Sequence, residues 1–425
     1  MKRILFTQIQ GNSTGYIALL GWLGAFVAAA LGAVYFMEHN GHYVTGMNNQ
    51  IVWGMPHVFA VFLIVAASGA LNIASISSVF GRVMYKPLGR LSTLLSLALL
   101  AGGLMVLVLD LGRPDRLDVA MMKYNFKSIF AWNIYLYTGF FAVVGVYMWM
   151  MMERRMNRYT KIAGTVAFIW RLALTTGTGS IFGFLVARQA YDAAIMAPMV
   201  IIMSFSFGLA IFILVLMAVS NGTGRPLGDV LIAKMKNLLG VFVAAVLYFA
   251  VVQHLTNLYA TEHHGVEAFI LSDGGIYTGL FWFGQILIGG LLPLALLYHP
   301  TTGKDRMMIA LAAAMVVIGG MAQVYVIIIG GQAYPLSIFP GYEVSSSFYD
   351  GIVGSYSPSL PEVVLGLGGV ATTLLIVAIA IKALPFLPAT LADADIDPHY
   401  VEPEPEPEPE EADSDDEGEE AAEAA

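Results

Sequence analysis

The sequence predicts an all-α integral membrane protein of about ten transmembrane helices, arranged as two four-helix bundles with one flanking helix at each end and both termini in the cytoplasm. Three observations carry that prediction: a charge-poor composition, ten apolar segments of spanning length, and an alternation of Lys and Arg between connections. Of 425 residues, 58% are hydrophobic and 12% charged, and the mean hydropathy is +0.73. Soluble domains carry charge on about a quarter of their residues.

Met1, Lys2 and Arg3 precede an apolar stretch at 15–37 that is too long for a signal-peptide core and long enough to span, so it is the first helix. Further spans follow at 54–79, 88–110, 128–152, 162–187, 197–220, 237–260, 277–298, 307–330 and 361–387. Each exceeds the roughly 20 residues needed to cross about 30 Å of hydrocarbon. Residues 1–390 thus form one membrane domain. The second helix is followed by Arg82, Lys86 and Arg90, and the fourth by Arg154, Arg155, Arg158 and Lys161. The sixth is followed by Arg225, Lys234 and Lys236, and the eighth by Lys304 and Arg306, while Lys382 closes the tenth. With Lys2 and Arg3, that side holds fifteen basic residues; Arg113, Arg116, Lys123, Lys127 and Arg188 make five on the other. Cytoplasmic connections concentrate Lys and Arg, which places both termini inside. The long outer connections 38–53, 261–276 and 331–360 contain no Lys or Arg and are rich in Tyr, Gly, His and Asn, as ordered outer loops would be.

Within the membrane domain, Gly81-Arg82 and Lys86-Pro87-Leu88-Gly89 after the second helix are echoed by Gly224-Arg225-Pro226-Leu227-Gly228 after the sixth. The echo lies four helices on, which groups helices two to five and six to nine into two similar bundles. Paired repeats occur in transporters and in other membrane folds. The body and the tail carry opposite charge: 16 of the 30 acidic residues follow position 392, where there is no Lys or Arg. Residues 391–425 are therefore expected to form a disordered acidic tail that cannot bury apolar surface. There is no cysteine. Disulfides, thiolate-held iron–sulfur clusters and Cys nucleophiles are excluded, so any electrons must sit on haem, an organic cofactor or a partner.

Ionisable groups inside a bilayer are costly and each needs an explanation. Arg171 lies nine residues into the fifth helix, about 14 Å deep at the rise of an α-helix. It is either a structural clamp or a station on a proton or anion pathway. His57, Asp110, His254 and Glu362 gather at the outer ends of helices two, three, seven and ten, with Tyr191, Trp53, Trp132, Asn133 and Tyr259 near the same level. An interfacial aromatic belt explains part of this. Two His, two carboxylates and several aromatics at one face also suit a quinone head group, which needs donors at its carbonyls, a flat apolar slot and a proton exchanger. His57 and His254 lie at depths that bis-His haem ligation would need, but one such pair in ten helices favours quinone over haem. The loop pair His263-His264 lacks carboxylate spacing, and no metal site is expected. Two classes of function remain: a quinone-reactive subunit of an electron-transfer complex, and a proton- or ion-translocating subunit without a quinone site. The second would run through Arg171 and the run from Thr175 to Ser180.

Specific strings sharpen the choice. Trp53-Gly54-Met55-Pro56-His57 opens the second helix, Asp110-Leu111-Gly112-Arg113-Pro114 closes the third, Ser128-Ile129-Phe130-Ala131-Trp132-Asn133 opens the fourth, and Pro358-Ser359-Leu360-Pro361-Glu362 opens the tenth. Together they resemble the NrfD-like, polysulfide-reductase-type membrane subunits, in their ten-helix branch. Between Glu38 and Asn157 the likeness is greatest to a membrane subunit of the complex associated with dissimilatory sulfite reductase. The resemblance covers all ten helices and omits the tail. It implies a subunit of the cytoplasmic membrane that carries neither haem nor iron–sulfur cluster and binds menaquinone or menaquinol near the outer face. The implied partners are a periplasmic ferredoxin-like iron–sulfur subunit, a multihaem cytochrome c, a haem b membrane subunit and a cytoplasmic iron–sulfur subunit, in dissimilatory sulfur metabolism. Lipid and these subunits, not nucleic acid, would surround it. His57, Tyr191, Trp132, Asn133 and His254 are the expected quinone-binding residues, with Asp110, Arg171 and Glu362 in proton transfer. Phe182 stands where the family often has a Tyr, which leaves Tyr191 as the nearest phenol.

Overall fold

The computed structural model describes residues 4–336, 339 and 351–400. Ten long helices dominate it: α1 (Thr14–Asn40), α2 (Met55–Ser78), α3 (Val83–Leu109), α4 (Ile129–Met152), α5 (Thr160–Gly183), α6 (Met196–Thr223), α7 (Asp229–Tyr259), α8 (Ile276–Tyr298), α9 (Arg306–Ala333) and α10 (Leu360–Ala383). Among the described residues nine are long and apolar enough to cross a membrane. The tenth, α5, has the length at 24 residues but carries Lys161, Arg171 and a Thr/Gly/Ser run in place of a uniformly apolar sequence.

The helices pack as two up-and-down bundles, α2–α5 and α6–α9, joined where α2 and α5 meet α6 and where α2 meets α9. Helix α2 is apolar all round because it is surrounded: 89% of its spanning window is buried, against 11% for α1, which faces outward. Small residues let the bundles approach. A Cβ on Gly69 would overlap the Ser204 carbonyl, and one on Gly208 would overlap the Gly69–Ala70 backbone, so α2 and α6 touch main chain to main chain. The sequence echo is structural too. Gly81 and Gly224 adopt left-handed φ of 68° and 64° just past α2 and α6, a conformation that ends a helix at little cost only with glycine.

The two flanking helices lie together, not at opposite ends of the assembly: α1 packs on α10, and α10 on α2 and α3. The chain ends explain this. Strand β1 (Phe6–Thr7) pairs antiparallel with β2 (Leu387–Pro388), which puts both ends of the helical domain on one face, as ten crossings require. Residues 391–396, assigned from composition to the solvated tail, are a correction at its boundary. They fold onto this face, with Leu391 and Ile396 buried and Asp393 accepting from the Asp229 and Val230 N–H groups at the start of α7. A carboxylate suits a helix N-terminus, where amide donors have no partners. The acidic run from Glu402 lies outside the described residues.

Leu280–Leu291 in α8 and Val326–Gly330 in α9 are π-helical. The second sits beside the site described next.

Candidate functional site

A cavity of about 370 Å³ lies in the half of the first bundle away from the strand-paired face. Its walls come from α2 (His57, Val61, Ile64), α3 (Leu104, Leu107, Val108), α4 (Phe130, Asn133, Tyr137) and α5 (Phe182), with Ile328 of α9 reaching in from the second bundle. Leu111, Leu117 and Met121, from the connection after α3, cover its end on that side. A larger cleft of about 720 Å³ opens on the opposite face beside Arg82 and Lys234. The first has His57 on its wall, and it has the size and apolar walls usual for an organic ligand.

Aromatic rings frame this cavity. Trp53 stacks on His57 at 6.1 Å and 23° between ring planes. It meets Phe130 edge-on at 5.6 Å and Phe182 at 6.1 Å, within the range in which aromatic pairs attract. The local sequence places these rings. Gly54 and Pro56 start α2 directly after Trp53, and Pro suits a first turn, where its missing N–H would have had no partner. Glycine at 54 leaves room for the Glu362 carboxylate and the Tyr356 hydroxyl, which an added Cβ would displace.

His57 Nδ1 lies 3.0 Å from Asp110 Oδ2, and the carboxylate side chain is 1% exposed. The contact falls short of hydrogen-bond geometry. Among the described residues, His57 Nδ1 and both Asp110 oxygens are therefore buried without an aligned hydrogen-bond partner, a state that a ligand's polar group would relieve. Asn133 is oriented from behind: its Nδ2 donates to the Ile129 and Gly177 carbonyls at 2.9 and 3.0 Å. Tyr137 and Thr178 share a hydrogen bond at 3.3 Å on the same wall. His57, Asn133 and Tyr137 thus form the polar side of a mostly apolar slot, with Asp110 behind the imidazole.

The other predicted residues are placed elsewhere. Trp132 faces outward at 41% exposure, and its Nε1 donates to the Phe126 carbonyl. Tyr191 is buried, but its hydroxyl donates to the Ile328 carbonyl at 2.6 Å. Only its ring approaches the site, packing on Phe182 at 5.4 Å. His254 sits in the second bundle, 2.7 Å from Glu267 Oε2. That fully buried carboxylate also accepts from Asn257 at 2.8 Å. Glu362 forms a capping box with Ser359 at the start of α10 and accepts from the Tyr356 hydroxyl and the Gly46 N–H at 2.7 and 2.8 Å. Arg171 is 1% exposed and donates to the Ser68 carbonyl at 3.1 Å, next to the break in α2 at Leu71. The Phe168 and Phe205 rings lie 4.8 and 4.9 Å from its guanidinium. In the Asp110-Leu111-Gly112-Arg113-Pro114 turn, Arg113 pairs with Asp115 through two bonds of 3.1 Å, and this hydrogen bonding holds the Asp115 carboxyl below its usual range. His263 and His264 each bond a main-chain carbonyl. Sequence reasoning passed over Tyr137, Glu267 and the wall from α9. The i, i+4 spacing of Asn133 and Tyr137 on one helix face was the available signal for Tyr137.

A family model described as polysulphide reductase, NrfD, matches residues 43–335. The Hdr-like menaquinol oxidoreductase integral membrane subunit of Archaeoglobus fulgidus is 28% identical over 386 residues, which cover 90% of this chain and 96% of that protein. A selenate reductase subunit of Mesobacillus selenatarsenatis is 22% identical, over 91% of this chain and 94% of its own length. The menaquinone reductase integral membrane subunit of Nitratidesulfovibrio vulgaris is 21% identical, over 88% and 92%. The family match spans more than half of the sequence, and every cavity-lining position lies inside it. The chain is a multi-pass membrane protein that belongs to the polysulphide reductase, NrfD, family.

Proposed function

We propose that this chain is the quinone-reactive membrane subunit of a multi-subunit redox complex, and that menaquinone or menaquinol occupies the cavity of the first bundle. The single observation that carries the proposal is His57, set in an apolar, aromatic-walled slot against a buried Asp110 that has no aligned partner. The names of the Archaeoglobus and Nitratidesulfovibrio relatives support the same chemistry. A naphthoquinol ring would lie among Trp53, Phe130 and Phe182, with one oxygen at His57 and the other toward Asn133 and Tyr137. Its isoprenoid chain would leave along Leu104, Leu107 and Val108. Oxidation of the quinol releases two electrons and two protons. The imidazole is the general base and passes protons to Asp110 at the outer end of α3, while the electrons go to a partner, since the chain has no cysteine to hold a cluster. Quinone reduction is the same scheme reversed.

The partner that exchanges these electrons is a ferredoxin-like iron–sulfur subunit on the outer, periplasmic face. A multihaem cytochrome c, a haem b membrane subunit and an iron–sulfur subunit on the cytoplasmic side make up the rest of a complex of dissimilatory sulfur metabolism. The face that carries β1 and β2 is cytoplasmic, and the membrane is the cytoplasmic one. Replacing His57 by Ala should weaken binding of a fluorescent quinoline N-oxide mimic of naphthoquinol by about tenfold, the worth of one good polar contact. An unchanged binding curve removes the cavity from consideration. One observation favours a second reading, proton or ion translocation without quinone: the buried His254–Glu267 pair is a titratable site that the cavity does not use. Near-stoichiometric quinone in the extracted complex would decide against it.

A further inference from the structure

Trp53 belongs to no helix or strand, so the main-chain groups around it need partners from elsewhere. One side chain supplies them. Gln332, at the end of α9 and 3% exposed, accepts from the Val52 and Trp53 N–H groups through Oε1, both at 3.0 Å. Its Nε2 donates to the Trp53 carbonyl at 2.9 Å and to the Ile328 carbonyl at 2.8 Å. The amide is thereby fully used, and both main-chain groups of Trp53 are bonded to a single residue of the other bundle.

The surroundings hold Gln332 in turn. Winding from Val326 to Gly330 is π-helical, which displaces carbonyls from the regular ladder and leaves them open to side chains. Ile328 O accepts from both Gln332 and the Tyr191 hydroxyl. Arg188 donates to the carbonyls of Gln332 and Gln50 at 2.9 and 3.1 Å, bridging the same two segments. Tyr191 backs Phe182, and Phe182 meets Trp53.

We infer that Gln332 is a positioning residue of the cavity: by fixing the Val52–Trp53 backbone from the second bundle, it sets the Trp53 ring against which the ligand packs. This rests on the quinone reading above. It also assigns the second bundle a share in a site whose polar groups all belong to the first.

The test uses the full chain in lipid nanodiscs, titrated with the same quinoline N-oxide probe. Gln332→Met keeps the volume and removes all four hydrogen bonds; it should weaken binding by about tenfold, comparable to losing one aromatic contact. In a Trp53→Ala background the same change should have no further effect, because Gln332 acts through that ring. Gln332→Glu keeps the acceptor for both N–H groups but turns a carboxylate oxygen toward the Trp53 and Ile328 carbonyls in place of the donor, so it should lose at least as much affinity as Gln332→Met. Parent-like affinity of Gln332→Met overturns the inference, as does a tenfold loss that persists without Trp53. Should Gln332→Met not assemble, parent-like affinity of Gln332→Glu overturns it instead. His57→Ala, measured alongside, separates the two claims. If His57→Ala and Trp53→Ala both bind normally, the site itself is wrong. If both lose affinity and Gln332→Met does not, only the positioning role is wrong.

Discussion

Asp110 ends α3 with its carboxylate side chain 1% exposed and the His57 imidazole 3.0 Å away. A carboxylate with no aligned donor is tolerated inside a protein only where something offsets its desolvation, and functional sites are where such groups persist. Replacing Asp110 by Asn keeps the shape and removes the proton acceptor. Turnover of a naphthoquinol by the complex should fall by about a hundredfold, the scale of general base catalysis, while binding of the quinoline N-oxide probe stays within about threefold. Equal losses in both measurements would make Asp110 a structural residue. The two members of this pair stood out in the sequence because each lies at a helix terminus on the face opposite the chain ends and neither belongs in hydrocarbon. Tyr191 looked equally suitable by depth, but depth does not give direction: its hydroxyl turns to the Ile328 carbonyl that π-winding exposes. Glu267 was hidden in an outer connection with the composition of a solvated loop, and only the fold buries it beside His254.

At the scale of the element, α2 decides the geometry, because it faces α3, α5, α6, α9 and α10 together. Its apolar length made the span plain, but nothing local marked the break at Leu71. There Arg171 of α5 donates to Ser68 O from between two Phe rings. One guanidinium thus meets a carbonyl in the buried interior, the contact that the clamp role considered for it would require. Close to that break, the α2–α6 crossing depends on Gly208, whose added Cβ would meet the Gly69–Ala70 backbone. Main chain cannot yield as a side chain tip does. Gly208→Val should therefore destabilise the chain by about 1–3 kcal/mol, read as a lowered midpoint of thermal unfolding in detergent. Gly222→Val, where an added Cβ meets nothing, should leave the midpoint in place. Equal midpoints for the two variants would show that the crossing relaxes freely.

The whole molecule joins the bundle that holds the His57 cavity to a second bundle, and the join is where they share backbone contacts and the Gln332 bonds. The repeat of glycine-ended basic turns was visible in the sequence, since both bundles end their first helix with the same left-handed residue. The pairing of α1 with α10 was not, because it depends on β1 and β2, two residues each, too short to leave a periodic signal. That strand pair sets both ends on one face, and the excess of Lys and Arg on the same face predicts which compartment it meets. The absence of cysteine makes the prediction directly testable, because any introduced cysteine is unique. Gln10 precedes α1 on the strand-paired face, Lys123 lies in the connection that covers the cavity, and both are exposed. In intact spheroplasts a membrane-impermeant maleimide should label Lys123→Cys and leave Gln10→Cys unlabelled until the membrane is opened. The reverse pattern would put the cavity at the cytoplasmic face, and quinol oxidation would then release its protons inward.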